Sequence, residues 1–362
     1  MAEQPASSFR AEFPVLERRA YLNAGTEGPV PQATEDAVRA RVHADLTEGR
    51  VGRAYFEEVM ELAARARAAY ASVLGAAPED VALTSSTTYG VNSVLAGLRL
   101  APGEEILTSD QEHPGVLVPL RRARIVHGVT VRVVPFAELP GEVRPNTRLV
   151  ACSHVSWVGG EVMDVAALVA TGAPVLLDGA QALGAIPVDV AALGVDFYAG
   201  SGQKWLCGPE GSGALYVCPE RLDEIEPPFP GYDTVSDHSN PLDSPLAAGA
   251  ARLDDGFPSA LRSTWALASM GVLSAAGWAW VHERAAAGAE RLAELLRARG
   301  HEVAPRGRST LVSWRAADAD AEVKRLMTQG IVVRSIPAVG LVRASVGAWT
   351  SDEEIHRLAE LA

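Results

Sequence analysis

The chain has 362 residues, room for two or three domains of ordinary size around a large core. With 48% hydrophobic and 21% charged residues it has the balance of a soluble globular protein, and a net charge of −13 without a basic stripe speaks against nucleic acid as a partner. Three cysteines, Cys152, Cys207 and Cys218, offer neither metal-ligand spacing nor an even disulfide count, so no metal is expected and a cytoplasmic location fits best.

Residues 1–12 lack a basic start followed by an apolar core, so no signal peptide is expected. Residues 13–16 form a short apolar arm, and residues 21–29 a glycine-rich turn. Residues 32–74 carry helical periodicity and read as scaffold helices, with Tyr55 a candidate to reach a site. Residues 77–84 read as a turn into a strand, followed by the hydroxyl-rich Ser85-Ser86-Thr87-Thr88 and a periodic stretch through Leu98. Hydroxyl residues at a strand-to-helix junction can cap the helix, and the free amides and dipole there suit a phosphate; both roles are compatible. Residues 105–110 read as the next strand, ending in Gln111-Glu112-His113-Pro114-Gly115, and residues 147–154 as another, ending before Val155-Ser156-Trp157.

The apolar runs 174–177, 195–199 and 214–218 are short, bounded by Gly or Pro, and read as buried strands. The first runs into Asp178 and Gln181, the second into Ser201, Gln203 and Lys204. Of 32 basic side chains only Lys204 and Lys324 are lysine. An amine kept at a buried strand end, where ammonium loses its hydration, points to a need for the amine itself: lysine shifts its pKa and forms Schiff bases, and arginine does not. Taken singly, each residue favours the plainer reading, Asp178 as a helix cap and Lys204 as a solvated loop residue; together they favour the functional one. Residues 219–260 are rich in Pro, Asp and Ser and read as a long loop near a site or a subunit contact.

The last hundred residues read as a smaller α/β unit. Helical patterns over 261–299 precede a strand at 310–314, a helix at 319–329, strands at 331–336 and 341–345, and a closing helix over 351–362. The apolar run 265–281 is short of a bilayer span and reads as a buried or interface helix, so no membrane partner is expected. Arg334 and Arg343 each interrupt an apolar strand. A lone arginine there would be an edge-strand charge, whereas two across a short connection suit a substrate carboxylate.

Asp178-x-x-Gln181, Ser201-Gly-Gln-Lys204 and Gly208-Pro-x-Gly-x-Gly213 together resemble the cofactor core of the class V aminotransferase and cysteine desulfurase-like family. The resemblance implies pyridoxal 5′-phosphate (PLP) as cofactor and fold type I of the PLP-dependent transferases, the aspartate aminotransferase-like α/β fold. It implies an N-terminal arm (1–15), a large mixed-sheet domain (16–258), a small C-terminal α/β domain (259–362) and a homodimer. Lys204 then carries the cofactor as an aldimine, Asp178 faces the pyridine nitrogen, and His113 stacks on the ring. Ser86, Thr87 and Thr88 take the phosphate, with Gln203 within reach of it, Ser201 also binds the cofactor, and Gln181 bonds the phenolic oxygen. Asn23, Thr26 and Trp157 lie by the substrate, with Arg343 as main carboxylate ligand and Arg334 as its companion.

Two departures refine the resemblance. Trp157 stands where desulfurases have asparagine, and Gln203 where histidine usually precedes the lysine; Glu112-His113-Pro114-Gly115 with Trp157 is similar to the cyst(e)ine C–S lyase and isopenicillin N epimerase-like subgroup. Arg252-Leu-Asp-Asp-Gly256-Phe257 resembles a motif whose threonine reaches the partner's cofactor phosphate, but here Phe257 replaces that threonine, with Ser259 nearby. Desulfurases carry a nucleophilic thiol just before the carboxylate-binding arginine, and residues 335–342 contain no cysteine. The expected activity is therefore C–S β-elimination on a cysteine-derived amino acid, with Cα deprotonation by Lys204. Epimerisation, transamination and, less favoured, desulfuration are the alternatives. No Gly-x-Gly-x-x-Gly opens a helix and no P-loop is present, against a nucleotide-binding dehydrogenase. A catalytically silent PLP-binding module is disfavoured by the intact Asp178, Lys204 and Arg343.

Overall fold

A computed structural model describes residues 6–336 and 339–362; of the expected N-terminal arm, residues 1–5 lie outside this range. The chain begins with α1 (Ala6–Ala11), β1 (Ala20–Tyr21), α2 (Gln32–Thr47), α3 (Gly52–Leu74), β2 (Val81–Thr84), α4 (Thr87–Gly97), β3 (Glu105–Ser109) and α5 (Pro114–His127). It continues through β4 (Thr130–Val134), β5 (Thr147–Ser153), α6 (Val165–Val169), β6 (Val175–Asp178), α7 (Val190–Leu193), β7 (Phe197–Ser201) and β8 (Gly213–Val217). Then follow α8 (Ala260–Ala276), α9 (Trp278–Ala298), β9 (Leu311–Arg315), α10 (Ala319–Thr328), β10 (Ile331–Val332), β11 (Arg334–Ile336), β12 (Leu341–Ser345) and α11 (Asp352–Leu361).

The large sheet has seven strands in the order β2-β8-β7-β6-β5-β3-β4. From β7 to β4 all pairs are parallel, while β8 runs antiparallel to both β7 and β2. The central strands are nearly continuous apolar runs because both faces are covered. Their side chains alternate between two cores: Leu177, Val150 and Leu107 pack with Tyr70 and Leu74 of α3, whereas Leu176, Ala151 and Ile106 pack with Val91, Val94 and Leu120 of α4 and α5. Helix α4 is preceded by Ser86, whose Oγ accepts a hydrogen bond from Tyr89 N (3.1 Å), so the hydroxyl cluster does cap the helix.

The second sheet is antiparallel in the order β11-β12-β9. Arg343 therefore stands on its central strand and is fully buried, paired in register with Arg334 on one side and Ser313 on the other. The edge-charge alternative does not apply to it. Residues 20–23 run alongside this sheet, through β1 paired parallel to β10 and Asn23 bridged to Ser345. The glycine-rich turn that follows is thereby anchored between the two sheets.

The apolar run 265–281 is not one helix. Gly277 breaks it with φ 91°, a left-handed value that favours glycine, and separates α8 from α9. Helix α8 packs against α2 and α3, and α9 against β9 and α11. Among the described residues no helix is long and apolar enough to cross a membrane.

Candidate active site

In an open α/β sheet, ligands collect beyond the carboxyl ends of the parallel strands. Here the segments leaving β2, β3, β5, β6 and β7 converge with the turn at Gly25–Glu27 and with Arg334 and Arg343 on one cavity of about 240 Å³. Of the residues singled out from sequence, Ser86, Thr87, Thr88, His113, Trp157, Asp178, Gln181, Ser201, Gln203, Lys204, Arg334, Arg343 and Thr26 all line it. Asn23 is not among the lining residues; its Oδ1 accepts a hydrogen bond from Thr26 Oγ1 (2.9 Å), so it meets the cavity through Thr26. Tyr55, Phe257 and Ser259 line a separate groove with Val42 and Leu261.

Lys204 follows the end of β7, lines the cavity and is half-buried. Burial pulls its pKa down to about 8 against the opposing pull of Asp178. Its ammonium has no hydrogen-bond or ion-pair partner among the described residues. Asp178 is buried at the end of β6, and its Oδ1 accepts from Ala180 N (2.8 Å). Burial raises its carboxyl above the usual range, with Lys204 opposing. Thr87 Oγ1 and Ser201 Oγ lie 2.6 Å apart, tying the start of α4 to the end of β7 beside the lysine.

His113 Nδ1 accepts a hydrogen bond from Gly115 N (3.0 Å), which leaves any proton of the neutral ring on Nε2. Burial, with Lys204, Arg334 and Arg343 nearby, lowers its pKa to about 4, so the ring is neutral near pH 7. The Trp157 ring meets it edge-on at 4.9 Å. Gln181 donates Nε2 to Gly25 O (2.8 Å) and accepts from Trp205 Nε1 (3.2 Å), leaving one amide hydrogen for a ligand.

On the other side, Arg343 Nη1 donates to Trp157 O (2.7 Å), while its Nε and Nη2 are buried without a partner among the described residues. Arg334 Nη1 donates to Thr26 Oγ1 (3.2 Å), and its guanidinium lies 5.9 Å from the Trp157 ring centroid. Burial and the neighbouring Arg334 lower the Arg343 pKa to about 9. A buried and a half-buried cation side by side, with donors of Arg343 unspent, make a site for an anion.

Unpartnered donors on Arg343 and Trp157, an unpartnered Gln203 Oε1, a free lysine amine and a buried carboxylate suit a ligand with an aldehyde, a ring nitrogen and a phosphate. PLP has these groups, and the residues fit it. Among the described residues no group of three or more His, Cys, Asp or Glu side chains could hold a metal. Sequence reasoning passed over Glu27, which lines the cavity, and Glu112, which is buried beneath it. The signal for Glu27 was a lone carboxylate inside a Gly-x-x-Gly turn; Glu112 was quoted only as the neighbour of His113.

The model of the family described as Aminotransferase class-V matches residues 22–358. An isopenicillin N epimerase of Streptomyces clavuligerus is 35% identical over 224 residues, 57% of this chain and 55% of the epimerase. The cysteine desulfurase CsdA of Escherichia coli (strain K12) is 35% identical over 253 residues, 64% of this chain and 62% of CsdA. The chain thus matches less than two thirds of the length of these relatives. Two structures of C-DES superpose over nearly the whole chain. One, a lysine-to-alanine mutant with glycine covalently linked to its PLP cofactor, has a TM-score of 0.92 at 28% identity, covering 97% of this chain and 98% of C-DES. The other, a complex of this cystine C–S lyase with its reaction product cysteine persulfide, has a TM-score of 0.91 at 29% identity, covering 96% and 98%. With the fold-type-I architecture, the PLP-shaped donor set around Lys204 and a family match over nearly its full length, this chain belongs to the PLP-dependent class V aminotransferase family.

Proposed function

We propose that the protein is a C–S lyase that performs β-elimination on a cysteine-derived amino acid. The observation that carries this reading is the composition of the cavity: an unpaired lysine, a two-arginine carboxylate site and no thiol. Cys152 and Cys207 are buried, with burial raising both thiols, and Cys218 follows β8 and bonds Glu220. A persulfide-forming nucleophile is therefore missing from the lining, which disfavours desulfuration.

Bound in the cavity, PLP supplies an electron sink for the charge that develops at the substrate Cα. Arg343, with Arg334 beside it, takes the α-carboxylate and relieves the repulsion between the two guanidiniums. Lys204 Nζ, with a pKa near 8, accepts the Cα proton as general base. Asp178 holds a proton at the ring nitrogen. Ser86, Thr87, Thr88, Ser201 and Gln203 would hold the phosphate, and the neutral His113 ring would lie against the cofactor ring. The Cβ–S bond breaks with its electron pair leaving on sulfur, which takes up a proton. Overall, one water is consumed and a thiol, pyruvate and ammonia are formed.

Exposed apolar side chains at Leu46, Val51, Phe56, Phe257 and Leu261 support self-association, and we read the protein as a cytoplasmic homodimer. The test is to reconstitute wild type and Lys204→Ala with PLP and assay pyruvate and thiol from S-substituted cysteines. Elimination by wild type alone is the expected result. Loss of chirality at Cα, or an amino-group transfer, without pyruvate would move the reading to an epimerase or aminotransferase.

A further inference from the structure

The cavity is electrostatically divided. Its inner part carries Lys204, Arg334 and Arg343, whereas Glu27 stands on the wall that it shares with an outer groove of about 580 Å³. That groove is lined by Tyr21, Glu27, Glu210, Arg262 and Trp265 among others, and its one cation, Arg262, is paired with Asp255 at 3.3 Å. The uncompensated charges facing the groove are therefore the carboxylates of Glu27 and Glu210.

Glu27 is held in place by its backbone. Its N donates to Asn23 O (3.2 Å), its carbonyl accepts from Tyr21 Oη (3.0 Å), and the next residue, Gly28, donates to Gln203 O (2.8 Å). A Cβ at Gly28 would fall 2.2 Å from Lys204 O, so only glycine lets the turn lie on the lysine's own backbone. The Glu27 carboxylate itself is half-buried and accepts no hydrogen bond among the described residues. Burial raises its pKa, with Glu210 adding to the rise and Lys204 opposing it. A partly desolvated carboxylate without a donor among the described residues, in a groove that Tyr21 and Trp265 also line, is suited to a cation supplied by a ligand.

With the α-carboxylate on Arg343 and the Cα by Lys204, the part of the substrate beyond sulfur is the part left to reach the outer wall. We propose that Glu27 makes this site specific for cysteine derivatives whose sulfur substituent carries a positive charge, the cation lying against the Glu27 carboxylate. This rests on the C–S lyase reading and narrows its substrate class.

S-(2-aminoethyl)cysteine and S-propylcysteine have the same shape and differ in that charge. Steady-state pyruvate release by the PLP-loaded enzyme is measured for both, in wild type and Glu27→Gln, with the bound-coenzyme absorbance as the check on folding. Wild type is expected to show the lower KM for the aminoethyl compound. In Glu27→Gln the KM ratio of the two substrates shifts roughly tenfold toward the propyl compound, the scale of a hydrogen bond to a charged group, while kcat moves little. A KM ratio that does not change overturns the proposal. So does a kcat that falls alike for both substrates, since Glu27 would then act on a proton and not on the cation. If wild type cleaves neither compound, the lyase reading fails; the dissociation constants of both compounds, read from the coenzyme absorbance in wild type and variant, still decide the role of Glu27.

Discussion

Replacing Glu112 by glutamine should change how stability depends on pH. The carboxylate is 4% exposed at the end of β3. It accepts from Ser109 Oγ, from Ser153 N (3.0 Å) and from Ser153 Oγ (2.6 Å), and so clamps the loop carrying His113 to the end of β5. Ser153 is in turn the sheet neighbour of Asp178. Burial outweighs those hydrogen bonds, and with the repulsion of Asp178 it lifts the Glu112 pKa to about 7 from 4.5. The unfolded chain gives up this proton near 4.5 and the folded chain near 7, so between those values the unfolded state holds fewer protons and stability falls as pH rises. Glutamine has no proton to lose. The stability of Glu112→Gln relative to wild type should therefore rise by about 2.5 kcal/mol between pH 5 and pH 8, most of it below pH 7. Urea denaturation of both proteins at pH 5, 6, 7 and 8 measures this, and taking the difference removes the other titrating groups. A difference constant within about 0.5 kcal/mol would refute the claim that Glu112 is held protonated by its surroundings.

Two further substitutions probe the same architecture. Arg343→Lys keeps a charge but loses the forked donors, so KM for the amino-acid substrate should rise by roughly tenfold to a hundredfold while the coenzyme absorbance is retained; an unchanged KM would remove Arg343 from the carboxylate site. Gly179→Ala puts a Cβ 2.1 Å from Tyr198 Cε1 in a fully buried ring, beside Asp178. It should cost about 3 kcal/mol in denaturation and weaken PLP retention, and a variant as stable as wild type would show that β6 can shift without cost.

Much of the site was legible because its chemistry is bound to short local patterns. Asp178, Lys204 and the hydroxyl cluster each end or follow an apolar run, and a strand end in a doubly covered sheet is where a polar side chain can face a ligand. The single glycine that splits the run 265–281 was not legible as a break, since an isolated glycine is tolerated within helices. Its φ of 91° separates α8, packed on α2 and α3, from α9, packed on β9 and α11.

Residue types and spacing marked out a lysine kept where nearly every other cation is arginine, a carboxylate 26 positions before it and paired arginines near the end, and the resemblance of the motifs around them to the class V family implied a PLP-type core. Only the tertiary structure decided what faces what. Arg343 became a buried central-strand cation because β9 and β11 close on both sides of β12. Glu27 and Glu112 acquired their character from groups far away in sequence. Desolvation and Coulomb interactions depend on distance in space, and neither can be read from the order of residues in the chain.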